Sequence, residues 1–234
     1  MKKLVCLIDP SWDYHKLVKT VNKNWESLKS NVEVWVGCVW DNGVMTHDVL
    51  DSLKIPKENK FLFPGTIGQG VRAGGEVTAV FVPKVLGRGF SLKRMILNLA
   101  VKVGERLMRI LYPKTKLIPY LYLVLSKESR IGEKVDANRI RDAEALKLIK
   151  ENLNGCHHIY IEGGSNAKHS VAERAGLLRE IKKQFNLPLY AGGGIRSANE
   201  FTAVAKVADK IIVGHYFGEN PESVLEFSKI LQKN

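Results

Sequence analysis

The sequence is poor in cysteine, and its three cysteines form no pattern. Cys6, Cys38 and Cys156 lie far apart and none belongs to a CxxC pair, so neither a zinc site nor a redox dithiol is indicated. We expect them to be small, buried, apolar residues of a protein in a reducing cytosol, with a functional thiol as the alternative.

Long apolar runs and linkers are also missing. No apolar run reaches the ~18 residues of a membrane-spanning helix. The opening MKKLVCLIDP resembles a signal peptide, but Asp9 and Pro10 interrupt its apolar run, so we expect a cytoplasmic protein. No low-complexity tract or Gly/Ser- or Pro-rich linker occurs, and we expect residues 1–234 to form a single domain.

Negative charge is scarce relative to positive charge. The chain has 36 Lys and Arg against 24 Asp and Glu, a net charge of +12, with some concentration of basic residues from Lys84 to Lys116. A solvated surface would explain this, and the functional alternatives are an acidic ligand such as a phosphate, an anionic membrane surface or nucleic acid. Because no helix-turn-helix, zinc-finger or RNP-type motif is present, we expect no nucleic-acid partner.

What the sequence does contain is a series of eight short apolar runs. They are continuous rather than alternating, which is typical of parallel strands buried on both faces. They cover 4–9, 32–37, 60–65, 78–83, 120–126, 158–164, 187–193 and 210–214. Helical periodicity separates most of them, at 15–29, 142–153, 172–185 and 198–208, and a last helix is expected at 221–233. The order predicts a (β/α)8 TIM barrel, with an open doubly wound sheet as the alternative.

One connection departs from that pattern. Residues 66–77, TIGQGVRAGGEV, hold four glycines in twelve residues, and a helical crossover needs at least about ten to twelve. We therefore expect the third helix of the barrel to be missing and replaced by an extended or irregular segment. Residues 90–112 are long and amphipathic and predict one or two helices.

Glycines end the last two predicted strands, where barrels often bind phosphate. Strand seven ends in Gly192, Gly193 and Gly194, and strand eight ends in Gly214 followed by His215. Backbone without Cβ atoms can approach an anion and offer N–H groups to it, although a tight turn alone would also use glycine. Ser197 is a suitable N-cap for the helix that follows.

Candidate carboxylates end two other strands. Tyr160 and Glu162 alternate with Ile161 and therefore share one side of strand six, where Glu162 could deprotonate a hydroxyl or, alternatively, pair with a lysine or arginine. Gly163, Gly164 and Ser165 add backbone donors and a hydroxyl. Asp9 ends strand one, where it could bind Mg²⁺ or cap a helix or turn.

Together these motifs resemble the geranylgeranylglyceryl phosphate synthase family, which includes the bacterial heptaprenylglyceryl phosphate synthases. The resemblance lies in LIDP (7–10), FLFPG (61–65), YIEGGSN (160–166), AGGGIRS (191–197) and IIVGH (211–215). It implies a barrel without its third helix and a Mg²⁺-dependent prenyltransferase. Such an enzyme joins a long-chain prenyl diphosphate, here expected to be geranylgeranyl diphosphate, to sn-glycerol 1-phosphate in archaeal-type membrane lipid synthesis. It also implies a homo-oligomer, and a lipid-tailed substrate is compatible with peripheral membrane contact.

The resemblance also implies residue roles. Glu162 would be the base, with Tyr160 beside it, and the glycerol would lie against Tyr160, Ile161, Glu162, Gly163, Gly164, Ser165 and Asn166. The phosphate would be bound by Gly192, Gly193, Gly194, Gly214 and His215, and Mg²⁺ by Asp9, with Cys38 at the position of a family hydroxyl residue.

The metal side departs from the family more than the phosphate side. Ser11 and Trp12 follow Asp9-Pro10 in place of an acidic residue and lysine, a thiol such as Cys38 is a poor Mg²⁺ ligand, and His215 replaces an asparagine. Two alternatives therefore stay open: a repurposed, non-catalytic barrel that binds glycerol phosphate or another phosphorylated ligand, and a sugar-phosphate isomerase or aldolase.

Overall fold

The computed structural model describes residues 2–37, 43–126, 132–133, 139–164 and 170–233, and its strands form a closed barrel in sequence order. The paired strands are parallel, and β1 aligns Leu4 with Val32 of β2. The strands are β1 (Lys3–Ile8), β2 (Val32–Val36), β3 (Lys60–Leu62), β4 (Ala79–Leu86), β5 (Lys116–Val124), β6 (Ile159–Glu162), β7 (Leu189–Gly192) and β8 (Lys210–Val213). The predicted barrel and its eight strands are confirmed.

Helices follow most strands along the chain. They are α1 (His15–Leu28), α2 (Val44–Ser52), α3 (Ile67–Ala73), α4 (Leu92–Leu111), α5 (Asp142–Asn152), α6 (Ala175–Gln184), α7 (Ala198–Ala205), α8 (His215–Glu219) and α9 (Ser223–Lys233). Short 3-10 turns in the described residues include Lys57–Asn59, Gly74–Glu76 and Val171–Arg174. Within the described residues, no helix combines the length and apolar character that crossing a bilayer demands.

The expectation that the third helix is replaced by an extended segment is wrong. Residues 67–73 form α3, whose N-terminus is capped by the Thr66 side chain accepting from the Gln69 amide, while Gln69 Oε1 accepts from the Gly65 N–H at 2.7 Å. The glycines serve packing rather than an extended course. A Cβ on Gly70 would lie 3.3 Å from Met108 Sδ, and one on Gly74 would lie 2.1 Å from Met108 Cε. The third helix is therefore short, and its glycines let α4 approach it closely.

Two further helices refine the sequence prediction. Residues 90–112 form one helix, α4, of 20 residues rather than two. The helix α2, which the periodicity did not single out, begins after Gly43, whose φ of 104° is in the left-handed region that favours glycine.

The described chain divides into two compact units. The first comprises residues 83–99 and 119–212, and the second comprises 3–82, 100–118 and 213–233. In the second unit, Trp35 packs on Phe81 with ring centroids 4.0 Å apart. The same unit holds a buried reciprocal pair: Asn31 Nδ2 donates to the Ser228 carbonyl at 2.7 Å, and Ser228 Oγ donates to Asn31 Oδ1 at 2.9 Å.

The cysteines behave as small apolar residues where the structure describes them. Cys6 is fully buried, and burial raises the pKa of its thiol to about 12. Cys156 is half-buried rather than buried, and its thiol pKa is also raised by burial. A thiol that resists ionisation is a poor nucleophile, so neither residue suits thiol chemistry.

Candidate active site

The first unit contains a buried tyrosine–carboxylate pair at the end of β6. Tyr160 and Glu162 face the same side of the strand, as predicted. The Tyr160 hydroxyl donates a short hydrogen bond to Glu162 Oε2. The Gly164 N–H donates to the other carboxylate oxygen, Oε1, at 3.0 Å. Tyr160 is 1% exposed and Glu162 is 5% exposed. The carboxylate is therefore fixed through both oxygens, and each keeps a second lone pair for another donor.

A second tyrosine, which the sequence reasoning did not identify, packs against this pair. The register of β5 and β6 places Tyr122 beside Tyr160, and the rings stack with centroids 4.9 Å apart and planes 7° apart. Burial, together with the nearby Glu162 charge, raises the pKa of Tyr160 well above its usual value. The Tyr160 phenol therefore stays protonated and serves as a hydrogen-bond donor.

The environment of Glu162 suits a proton acceptor. Burial raises the pKa of its carboxyl above the ordinary value, and the hydrogen bonds from Tyr160 and the Gly164 amide oppose that shift. The partners of Glu162 among the described residues are thus a phenol and a backbone amide, rather than the lysine or arginine of the alternative interpretation. A buried carboxylate with a raised pKa binds a proton more readily than a solvated one.

Gly192 at the end of β7 and Gly193 directly after it leave room for this pair. Gly193 has a φ of 94°, and a Cβ there would lie 2.3 Å from Glu162 Oε1 and 2.6 Å from the Gly164 nitrogen. A Cβ on Gly192 would lie 2.8 Å from the Tyr160 hydroxyl oxygen. The predicted reason for the glycines was access for an anion. The structure gives a further reason, namely that any side chain at Gly192 or Gly193 would displace the tyrosine–carboxylate pair.

Backbone hydrogen bonds connect the chain after β6 with the glycines at the end of β7. The Gly163 N–H donates to the Gly192 carbonyl at 2.9 Å, and the Val171 N–H donates to the Gly193 carbonyl at 3.0 Å. Gly164 and Gly194 also have positive φ, at 115° and 73°. Ile161 is fully buried in the strand. The two hydrogen bonds connect the backbone on either side of Glu162 to the end of β7.

The start of α7 confirms the predicted cap. Ser197 Oγ accepts from the Glu200 N–H at 3.3 Å, and Glu200 Oε2 accepts from the Arg196 N–H at 2.8 Å. The arrangement resembles a capping box, except that the Glu200 side chain accepts from the N–H of the residue before the N-cap instead of that of the N-cap itself. The Arg196 side chain is exposed.

In the second unit, Asp9 forms a turn after β1. Its Oδ1 accepts from the Ser11 N–H at 2.9 Å and from the Ser11 hydroxyl at 2.6 Å. The residue is half-buried. The turn alternative is therefore realised.

His215 lies after β8, in the second unit, and makes contact with two side chains. Its Nε2 lies 2.9 Å from Glu219 Oε1, and its ring packs edge-on against Trp12 with centroids 4.7 Å apart. Its Nδ1 is buried and has no hydrogen-bond partner within the described part of the chain. When Nε2–H donates to Glu219, Nδ1 can donate to an anion only in the doubly protonated ring. Gly214, the residue before it, has an ordinary φ of −120°.

A group of side chains that the sequence analysis did not identify could also hold a cation. His47, Asp51 and Glu76 place one ligand atom each within 4.8 Å of one another. His47 and Asp51 lie four residues apart on α2, and this spacing in the sequence was the available signal. The Lys60 ammonium interacts electrostatically with the carboxylates of Glu76 and Asp51. These two groups therefore already have a cationic neighbour.

Three predicted site residues, Cys38, Ser165 and Asn166, lie outside the described residues.

Comparison with known proteins adds the family context. The PcrB family model matches residues 61–231. A geranylgeranylglyceryl phosphate synthase of Zunongwangia profunda is 32% identical over 115 residues, 46% of this chain and 47% of the relative. The chain thus matches about half the length of that relative. A synthase of the same name from Pyrococcus furiosus is 27% identical over 235 residues, 97% of this chain and 88% of the relative.

A solved structure supports the fold. It is the crystal structure of (S)-3-O-geranylgeranylglyceryl phosphate synthase from Thermoplasma acidophilum in complex with sn-glycerol-1-phosphate. It superposes with a TM-score of 0.76 at 21% identity and covers 98% of this chain and 94% of its own. At that identity the likeness concerns the barrel alone.

Proposed function

Because the chain belongs to the PcrB family, we propose that it is a prenyltransferase that makes an ether from sn-glycerol 1-phosphate and a long-chain prenyl diphosphate. Geranylgeranyl diphosphate is the proposed donor, in archaeal-type membrane lipid synthesis in the cytoplasm. The names of the relatives support this substrate pair. We propose that residues 1–234 act as one domain and that the protein is a homo-oligomer.

The observation that carries the proposal is the buried carboxylate of Glu162, held by Tyr160 and the Gly164 amide. In the proposed reaction, Glu162 accepts the proton of the glycerol 3-hydroxyl. The hydroxyl oxygen forms a bond to the allylic carbon of the donor, and the bond between that carbon and the diphosphate oxygen breaks. Diphosphate leaves with the electron pair of the broken bond. Tyr160 does not accept the proton, because it is already the donor in its bond to Glu162.

The glycine segments of the first unit are proposed to bind the glycerol phosphate. Gly163, Gly164, Gly193 and Gly194 offer closely approachable backbone, and Ile161, Ser165, Asn166 and Gly192 complete the proposed set. For the second unit we propose that Gly214 and His215 contribute to anion binding. Because Nε2 of His215 already contacts Glu219, a contact between His215 and an anion would have to use Nδ1.

Asp9 is the proposed Mg²⁺ ligand. Its donor chemistry fits a hard cation, since Mg²⁺ is usually bound by one or two protein carboxylates together with phosphate and water oxygens. When bound, the ion would neutralise charge on the leaving diphosphate. Cys38 was the other proposed metal residue, and a thiol suits Mg²⁺ poorly.

A second candidate function is binding of glycerol phosphate, or of another phosphorylated ligand, without transfer. The observation that favours it is the engagement of His215 by both Trp12 and Glu219. That arrangement places a negative side chain beside a residue that the first candidate assigns to a phosphate.

The test is synthesis of the ether from labelled sn-glycerol 1-phosphate and geranylgeranyl diphosphate with Mg²⁺. We expect product with the unaltered chain and a loss of about 10²–10⁴-fold in Glu162→Gln, the usual contribution of a general base. Glu180→Gln, a surface change on α6, is the matched control and should retain full activity. Tight glycerol 1-phosphate binding without any product would replace the first candidate by the second.

A further inference from the structure

The helix α4 presents an apolar stripe to solvent. Its exposed members follow the spacing of one helical face, with intervals of three, four and one residues: Leu92, Met95, Ile96, Leu99, Val103, Leu107, Ile110 and Leu111. Phe90, just before the helix, is 85% exposed, Ile110 is 76% exposed and Leu99 is 63% exposed. Such a continuous exposed apolar surface marks an interaction site in most proteins.

The stripe is not required to hold α4 in place, because the opposite face carries the anchoring contacts. Asn98 exchanges two hydrogen bonds with the Val85 backbone, at 2.9 and 3.0 Å. Met108 is buried against Gly70 and Gly74. The helix thus turns a partly polar face inward and its most apolar face outward, which is the reverse of a helix that covers only its own core.

The segment that carries the stripe is rich in positive charge. Residues 83–116 contain one acidic residue, Glu105, against nine basic ones: Lys84, Arg88, Lys93, Arg94, Lys102, Arg106, Arg109, Lys114 and Lys116. Within α4, Lys93, Lys102, Arg106 and Arg109 are exposed. An amphipathic helix with a wide apolar face and basic residues beside it is suited to the boundary between headgroups and acyl chains.

The charge distinguishes between two possible occupants of this face. A second copy would bring an equally basic helix against the first, and like charges in contact oppose association. A bilayer with anionic lipids offers both negative headgroups and apolar chains. We infer that the outer face of α4 docks the protein on an anionic lipid surface. This inference stands on α4 alone and does not depend on the proposed reaction.

The test is co-sedimentation of the full chain with vesicles, without substrate. One set contains equal parts of phosphatidylglycerol and phosphatidylcholine, and the other contains phosphatidylcholine alone. We expect binding to the anionic set that weakens at high salt, since counterions screen the headgroup charge. Lys102→Glu/Arg106→Glu should reduce the partition coefficient by about tenfold or more, given the usual contribution of each basic residue near a charged surface.

Two further variants make the result specific. Lys19→Glu/Lys23→Glu alters two exposed lysines of α1 with the same spacing and the same net charge change, and should bind almost as the unaltered chain does. Ile96→Gln/Leu99→Gln removes part of the stripe without changing charge and should also weaken binding. Circular dichroism and thermal unfolding check that each variant folds.

Three outcomes would overturn the inference. One is equal binding to both vesicle sets, or none to either. Another is an equal loss in the α1 and α4 charge variants, which would indicate net charge alone. The third is a change of oligomeric state in Ile96→Gln/Leu99→Gln by light scattering, which would assign the stripe to a second copy. Ether synthesis with soluble substrate is measured separately, so failure to bind vesicles and failure of the proposed reaction are distinguishable.

Discussion

Two strands end in carboxylates of opposite character. Glu162 after β6 is buried, and a phenol and a backbone amide fix both of its oxygens. Asp9 after β1 is half-buried, and Ser11 contacts one of its oxygens within a turn. A carboxylate held in a dry site is prepared for proton transfer, whereas one in an open turn is prepared to take a hydrated cation. The same chemical group thus acquires different proposed roles from its burial.

The largest expected effects are on activity, and the Mg²⁺ concentration dependence of two variants should distinguish the role of Asp9 from that of Glu162. In Asp9→Asn, we expect half-maximal activity to require about 10–100-fold more Mg²⁺, as for other weakened metal sites. The amide oxygen can still accept from Ser11, so the turn should persist. Excess Mg²⁺ should restore much of the Asp9→Asn activity and none of the Glu162→Gln activity. Asp13→Asn, a nearby control, should behave as the unaltered chain, and rescue of Glu162→Gln by Mg²⁺ would erase the distinction.

Gly193→Ala tests how tightly the site of Glu162 is built. The new Cβ would meet Glu162 Oε1 at 2.3 Å in a left-handed conformation, and we expect a loss of about 1–3 kcal/mol in the free energy of unfolding together with most of the activity. Urea denaturation and the ether assay measure the two effects.

Gly155→Ala is the matched control for Gly193→Ala. Gly155 also has positive φ, at 78°, but nothing lies within 4 Å of its added Cβ. It should show the conformational cost without loss of activity. Equal activity in the two variants would mean that Gly193 does not shape the Glu162 site.

Tyr160→Phe should move the pH dependence of Glu162. The Tyr160 hydrogen bond lowers the pKa of Glu162 against the effect of burial, so its loss should raise that pKa further. A base must be ionised, and the acid limb of the kcat/KM profile should shift to higher pH. A hydrogen bond to a charged group contributes about 1.5–3 kcal/mol. Because the lost bond stabilised the ionised carboxylate, kcat/KM at pH values below the acid limb should fall about tenfold or more.

Tyr112→Phe provides the comparison for that profile. Its hydroxyl also donates a hydrogen bond, to the Val71 carbonyl at 2.6 Å, but Tyr112 belongs to the second unit and Glu162 to the first. Its acid limb should coincide with that of the unaltered chain. An unmoved limb in Tyr160→Phe would show that Glu162 is not the group that titrates.

The smallest expected effect is on stability. The folded-state pKa of Glu162 is raised above 4.5, so the folded chain binds this proton more tightly than the unfolded chain. The resulting stabilisation is complete below pH 4.5 and is lost as pH rises through the folded-state pKa. Glu162→Gln should therefore gain stability relative to the unaltered chain as pH rises, by urea denaturation at several pH values. A difference that does not vary with pH would contradict the raised pKa.

The sequence was sufficient for the strands and for the side of β6 that carries the pair. Continuous apolar runs located all eight strands, and the alternation of a strand placed Tyr160 beside Glu162. It was not sufficient for α3, because glycines that read as irregular chain are contact points for Met108. Nor could it show that Glu162 Oε1 would occupy the space beside Gly193, since both contacts depend on distant segments meeting.

The buried pair of Asn31 and Ser228 has a consequence for how the chain reaches its final state. These residues are 197 positions apart, and each satisfies the other in the interior. During synthesis, the Asn31 side-chain amide cannot bond to the Ser228 carbonyl until the 197 positions that separate them have been made. Contacts of such separation are entropically costly to close and slow the search. We expect the contact between Asn31 and α9 to form only after α9 has been synthesised. We also expect formation of this contact to limit the rate of refolding.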